Sequence, residues 1–404
     1  MSNSKENFST LLETSLSSIT KRTSDPLEVL GKEKHADDLC AHFVWNNGQQ
    51  TVFLCPKAVE KGAVFATTEE ALNSHPELAE KLESLTKNST YVDSSDAAVQ
   101  PAQQNSTRDV LLQKLDLLTT EGVVLFIPRR MCQKREFLLD LELSEVARAA
   151  LLKVFVIIDD DASAVVTINL HSRGTNAENL FGGQLYCSVG KNAHLVLNEV
   201  QDFGSQTVSV RREQTIVQEG GDLHWNICEL GGMKSYDSLD VRMEGENSSA
   251  IVYGLYFPVK DQLMHIETRQ DHIVPHTYSN LHYKGALADK AFASWEGMIY
   301  VDPKAEKTDG YQKNENLMLS DEAQVFAKPG LEIITDDVKC SHGTTITNID
   351  DDQIFYLTSR GIPEREAEKL VIRGFFDTIL NLVTYSPIRG KLQDKIDSKM
   401  LQGE

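Results

Sequence analysis

The stretch Asp336-Asp337-Val338-Lys339-Cys340-Ser341-His342-Gly343 packs several reactive side chains into eight residues. If it is extended, Cys340 and His342 fall on one face, because strand side chains alternate. A thiolate and an imidazole so placed can hold a soft or borderline metal, or pair as nucleophile and base. The other reading is a buried cysteine beside a hydrogen-bonded histidine. A second concentration is His265, His272, His276 and His282. The last three share strand parity, and Pro275 excludes a helical i,i+4 pairing of His272 with His276. Solvent-facing or hydrogen-bonded histidines fit this spacing better than a metal site. Glu267, Arg269 and Asp271 read as a charged strand face rather than an acid/base set. Nothing matches a G-x-x-x-x-G-K-[ST] phosphate loop (Gly31-Lys32 lacks the upstream glycine), a G-x-G-x-x-G turn, a G-x-S-x-G elbow or H-E-x-x-H. The chain is therefore not expected to hydrolyse ATP itself.

The elements that carry these residues follow from composition and pattern. The chain has 404 residues, 40 Lys+Arg, 60 Asp+Glu and a formal charge of −20. Hydrophobic residues make up 41% and charged residues 25%, which excludes disorder throughout. The acidic balance argues against a phosphate-clamping nucleic-acid binder. The longest apolar runs, 149–158 and 250–259, are about half of a membrane-spanning helix. The N-terminus lacks a continuous apolar core of the secretory type, so a cytosolic, reducing location is expected. Cysteines 40, 55, 132, 187, 228 and 340 have neither C-x-x-C nor zinc-finger spacing. Five of the six are expected to be small buried apolar residues.

Three regions are predicted. Residues 1–135 form a mixed N-terminal part. It holds a short helix with Phe8, Leu11, Leu12, Leu16 and Ile19 on one face, and strands Ala41–Val44 and Thr51–Leu54 around Asn47-Gly48. A helical stretch Thr68–Leu85 is interrupted at His75-Pro76, a polar flexible segment covers 88–107, a helix Asp109–Leu118 follows, and Val123–Ile127 is a strand. Residues 136–347 are all-β, with short strands separated by Gly, Asn and Asp signals such as Gly182-Gly183, Gly220-Gly221 and Gly231-Gly232. Within them 193–200 aligns with 223–230 at an offset of 30. A degenerate period of that size points to a solenoid, with a sandwich or barrel as the alternative. Residues 348–404 are helical. Asp350–Ser359 ends at Gly361, and Pro363 opens a second helix striped with Ala367, Leu370, Val371, Phe375, Ile379, Leu382 and Val383. That stripe must be covered by the chain itself or by another subunit.

Asp336–Gly343 followed by Asp351–Ile362 (DDQIFYLTSRGI) resembles the C-terminal signature of the SufB/SufD family of iron–sulfur cluster assembly proteins. Gly245–Ser248, Lys307–Gly310 with Asn314–Ser320, and Leu331–Ile333 support the resemblance, which covers roughly 160–385. Asn314 stands where SufB-like chains carry a cysteine, and Cys340-Ser341-His342 where they carry a Glu-His-Glu type sequence, so the SufD branch is the better match. The resemblance implies a right-handed parallel β-helix with flanking helical parts, which decides between solenoid and sandwich. It implies a scaffold without catalysis of its own, in a complex with SufB, paired through the β-helix edges, and the ABC-type ATPase SufC, docked by the C-terminal hairpin. His342 matches a family histidine that faces SufB where a nascent cluster assembles, with Cys340 a weaker neighbour. Ile354, Phe355, Tyr356, Arg360, Gly361 and Ile362 fall in the docking hairpin. Iron or a cluster would be held transiently and together with SufB, with none stably bound to the chain alone. Self-pairing is left open. A β-helix carbohydrate-active enzyme using Asp336, Asp337 and Lys339, or a purely structural subunit, are the alternatives.

Overall fold

A computed structural model of the chain describes residues 39–46, 49–87, 122–143, 149–172 and 178–401, with Leu115 and Thr119. The predicted helix around Phe8–Ile19, the Asn47-Gly48 turn, the 88–107 segment and, apart from the buried Leu115, the 109–118 helix lie outside the described residues.

Two long sheets dominate. The first contains β1 (Leu39–Asn46), β2 (Gln49–Leu54), β5 (Glu136–Leu143), β7 (Ser163–Ser172), β9 (His194–Asp202), β11 (Asp222–Glu229), β13 (Ser249–Tyr256), β15 (Tyr278–Leu287), β17 (Thr308–Met318) and β19 (Val338–Asn348). The second contains β3 (Val64–Thr67), β4 (Gly122–Ile127), β6 (Ala149–Ile158), β8 (Asn179–Val189), β10 (Thr207–Val217), β12 (Lys234–Met243), β14 (Leu263–His272), β16 (Phe292–Val301) and β18 (Gln324–Ile333). Successive strands from β4 onward alternate between the sheets, and strands two apart in the chain pair in parallel, so each odd–even pair is one coil of a solenoid. The register steps from His194 to Asp222, Ser249, Tyr278, Asp309 and Lys339. At one end the parallel order gives way to antiparallel pairs, β1 with β2 and β3 with β4, which leaves the short β2 and β3 as sheet edges. At the other, the sheets end on β19 and β18.

The coils stack because inward positions form columns. One runs Phe137, Val166, Leu197, Trp225, Val252, Leu281, all buried at 1% exposure or less. The pairing of Leu197 with Trp225 corrects the offset of 30 read from sequence, which set Leu195 against Trp225. A slip of two preserves which face each side chain occupies, so the pattern survived the wrong register.

Several strands escape the β-type pattern because their inner faces are polar. β12, β14 and β17 bury Ser235, Asp237, Thr268, Gln270, Gln312, Asn314 and Asn316, and β8 contains the Gly182-Gly183 pair expected to be a turn. Gly183 lies opposite Arg211 in the ladder, where a Cβ would crowd both Phe181 and the Arg211 stem. Thr207–Arg211 and Thr215–Val217 are one strand, β10. His276 sits at φ +59° in a turn before β15 rather than within it.

The stretch Thr68–Leu85 is two helices, split at His75-Pro76 as expected. After the short α1 (Pro56–Glu60), α2 (Thr68–Ser74) carries a capping box between Thr67 and Glu70, and α3 (Leu78–Lys87) buries Leu78, Leu82 and Leu85. At the C-terminus, α4 (Asp351–Ser359) is capped by Asp350, whose carboxylate accepts from Asp352 N at 3.0 Å, and Gly361 follows at φ +87°. Pro363 caps α5 (Glu364–Leu380), and a third helix, α6 (Ser386–Leu401), was not expected. Ile372, Phe376, Ile379, Ile388, Leu392 and Ile396 pack on Val200, Cys228, Leu255, Phe257 and Ala286 of the solenoid wall. The chain thus covers most of the α5 stripe itself, though Leu370 and Leu382 remain exposed.

Candidate functional site

The column through Trp225 and Leu281 changes character at its open end. Leu281 is followed by Gln312 and then by His342. Gln312 is buried and donates to the carbonyls of Gly297 and Gly330 at 3.3 and 3.2 Å. His342 is exposed, although its register makes it an inward residue, because no further coil lies over it. Cys340, Thr344 and Ile346 share its parity and continue the columns of Gly310, Asn314 and Asn316. In the facing sheet, Val325, Ala327, Pro329 and Leu331 of β18 continue those of Ala293, Trp295, Gly297 and Ile299. Together these residues line the open mouth of the solenoid. Ile333 and Ile346 are exposed by 38% and 50%, large values for side chains whose counterparts one coil earlier are buried. Pro329 has no backbone N–H, and an edge strand such as β18 is one of the few places where a sheet accepts proline.

Cys340 is half-buried and packs with Ile299, Val301 and Ala305. Burial pushes its thiol up, so it is a poor thiolate in the chain alone. Cys340 and His342 therefore share a face as expected, with the imidazole free to meet a partner and the thiol recessed. Among the described residues no group of three or more His, Cys, Asp or Glu side chains is arranged to hold a metal. A ligand set built on His342 would have to be completed from outside the described residues.

The histidine cluster disperses. His265 stacks on Tyr236 at 5.0 Å, and His282 binds Glu315 at 2.6 Å. His272 is buried between Thr277 Oγ1 at 2.7 Å and Ser279 Oγ at 2.9 Å, and burial lowers its pKa to about 3. Arg269 and Asp271 form an ion pair at 2.7 Å, as a charged strand face would. Asp337 is engaged by Lys307, which leaves Asp336, Asp337 and Lys339 without the geometry of an acid/base set. Asn314 is buried, donating to Tyr256 Oη at 3.2 Å.

The residues expected to dock an ATPase stand apart, on α4 and in the turn after it, and α4 buries none of its side chains. Phe355 is 73% and Tyr356 57% exposed, and the Arg360 guanidinium lies 5.2 Å from the Tyr356 ring centre. Ile354 and Ile362 are half-buried, and a Cβ at Gly361 would meet nothing within 4 Å.

The cysteine expectation needs correction. Cys40, Cys187 and Cys228 are buried, Cys55 and Cys340 are intermediate, and Cys132 is exposed. A charged core was also missed. Arg211 lies inside the solenoid among Glu199, Glu213, Glu229 and Asp237, all nearly inaccessible. Isolated charges in strands that read as half-exposed gave no hint that they converge.

A parallel solenoid with an open, histidine-bearing mouth and helices packed on its wall defines the class. A family model described as "SUF system FeS cluster assembly, SufBD core domain" matches residues 142–375, more than half of the chain, and the chain belongs to the SufB/SufD family. It is 32% identical over 235 residues to the iron–sulfur cluster assembly protein SufD of Escherichia coli, covering 58% of this chain and 52% of that protein. A SufBD family protein of Mycobacterium leprae is also 32% identical, over 247 residues, 59% of this chain and 61% of the relative. One from Staphylococcus aureus is 21% identical over 362 residues, 88% and 73% of the two chains. The chain thus spans about half to three fifths of the length of the first two.

Proposed function

We propose that the chain is a SufD-like, non-catalytic subunit of a cluster assembly complex. Its open mouth pairs with a SufB-type β-helix, and α4 docks a SufC-type ATPase. The observation that carries this reading is the uncovered last coil, where the inward residues His342, Thr344 and Ile346 meet solvent. A second solenoid end joined to β18 and β19 would satisfy their edge donors and acceptors and bury these side chains. His342 then supplies an imidazole nitrogen to iron of the nascent cluster, which is cargo rather than a resident cofactor. SufB-type thiolates complete the ligand set. Closure of the ATPase subunits on ATP would pull on α4 and open the paired mouths.

Co-expression of the chain with SufB and SufC tests this. His342→Ala is expected to leave the complex intact on sizing while iron and acid-labile sulfide fall to background. Undiminished iron and sulfide would refute the ligand role and leave a structural subunit.

The ATPase contact is tested separately. Phe355→Ala and Tyr356→Ala remove apolar area that no described residue buries. Each is expected to cost about 2 kcal/mol of SufC affinity, roughly a thirtyfold rise in Kd. Retention of SufC by the double variant at wild-type affinity would place the contact elsewhere.

A further inference from the structure

We propose that Cys40 and Cys55 form a reversible oxidative modification site, closing to a disulfide across the β1–β2 hairpin. The hairpin register pairs Ala41 with Leu54, so Cys40 and Cys55 are the next opposed pair. Cys55 N donates to Cys40 O at 2.9 Å, and the two sulfurs lie 3.2 Å apart. Opposed residues of an antiparallel pair have Cα atoms about 4.5–5.5 Å apart, within the range of about 4.4–6.8 Å that a disulfide spans. The remaining sulfur gap closes by side-chain rotation, with the ladder kept. A shared metal fits less well. Bonds of about 2.3 Å from a tetrahedral zinc would hold two thiolates further apart than these sulfurs lie, and no third acidic, histidine or cysteine ligand is grouped with them among the described residues.

The two thiols differ in the way a stepwise oxidation requires. Cys55 is partly exposed, whereas Cys40 is sealed in the core. Burial and the Cys55 sulfur push the Cys40 thiol up to about 12, so Cys40 stays protonated and unreactive until its neighbour is oxidised. A peroxide is the oxidant. It takes two electrons from the Cys55 sulfur, giving a sulfenic acid and one water. Cys40 then attacks that sulfur and passes its proton to the departing hydroxide, which leaves as a second water. Gln133 Nε2, 3.2 Å from the Cys40 sulfur, donates to it as negative charge develops there. A small thiol reductant reverses the step. The covalent tie would fasten the edge strand β2 to β1 at one end of the solenoid.

The reduced full chain is treated with hydrogen peroxide at neutral pH, blocked with iodoacetamide and digested with trypsin. No Lys or Arg lies between the two cysteines, so both fall in the peptide 35–57. That peptide should appear two hydrogens lighter and unalkylated, and recover both alkyl groups after dithiothreitol. Oxidation should raise Tm by several degrees, reversibly. Cys132→Ser should change none of this, and Cys55→Ser should leave Cys40 a thiol. Full alkylation of both cysteines under conditions that oxidise Cys132, sulfinic acid at Cys55 beside an intact Cys40 thiol, or a lower Tm on oxidation would overturn the proposal. So would stoichiometric zinc retained by the reduced chain and lost in Cys55→Ser.

Discussion

Arg211→Met should lower the unfolding free energy by about 3–5 kcal/mol, read as a shift of the urea midpoint. Arg211 reaches Asp237 at 2.6 Å through Nε, Glu213 at 3.1 Å through Nη1 and Glu229 at 3.1 Å through Nη2, and also contacts Glu199. Four carboxyls thus surround one cation, all of them nearly inaccessible from the surface. Burial first, and Glu199 next, push the Glu213 carboxyl well above the usual range. Burial and Asp237 do the same to Glu229. Protonated, Glu213 shares its proton with Glu199, and Glu229 shares its own with Asp237. Removing the guanidinium leaves the remaining anions without a counter-charge. Because these carboxyls titrate higher folded than unfolded, the folded state holds protons that the unfolded chain gives up above about pH 4.5. Stability from this cluster therefore falls as pH rises, and the deficit of Arg211→Met should be larger at pH 8 than at pH 5. Adding Glu213→Gln and Glu229→Gln should recover part of it. A variant within 1 kcal/mol of wild type at both pH values would show that the cluster is not charged as described.

Lys399→Met should stabilise the chain near neutral pH and flatten its pH dependence. Lys399 is 4% exposed where α6 meets the solenoid, with Nζ 2.9 Å from Gln262 Oε1 and 5.8 Å from the Phe257 ring centre. Burial, with Lys395 and Lys260 nearby, lowers its pKa to about 7, and Asp202, paired with Lys395 at 2.6 Å, opposes that only partly. The unfolded chain keeps this amine protonated up to about pH 10.5, so between pH 7 and that point it binds more protons than the folded chain. Stability accordingly rises with pH across that window, and at pH 7 and below the full cost is present. A displacement of this size is worth several kcal/mol, with part returned by hydrogen bonding. Urea midpoints at pH 6.5 and 9.5 check it. An unchanged pH slope in Lys399→Met would assign the slope to other groups.

The β-rich region was legible because β-branched and aromatic runs recur between glycine turns, but the choice of a solenoid over a sandwich came from the family resemblance rather than from the spacing. Its polar-lined strands were not. In β14 the buried set is Met264, Ile266, Thr268 and Gln270, and in β17 it is Gly310, Gln312, Asn314 and Asn316. Polar side chains sit at these inward positions because they find hydrogen-bond partners inside the coil: Gln270 donates to Ser279, Gln312 to the Gly297 and Gly330 carbonyls, and Asn316 to Asn314. The shared face of Cys340 and His342 followed from parity alone. Their different exposure did not, since it depends on where coils stop rather than on local sequence. The Cys40–Cys55 pair had a usable signal: extending the predicted hairpin by one position on each arm sets the two opposite each other. α6 was missed because its apolar residues are sparse and face the solenoid wall at Ile388, Leu392 and Ile396.

The unlike ends of the coil stack limit how such molecules can grow. At one extremity antiparallel pairs break the parallel order and leave only the short strands β2 and β3, of 6 and 4 residues, as sheet edges. At the mouth the edges are β18 and β19, of 10 and 11 residues. Two bodies of this design that meet mouth to mouth cover their long seams and leave only the short ones, and short edge strands are a poor template for growth into a filament.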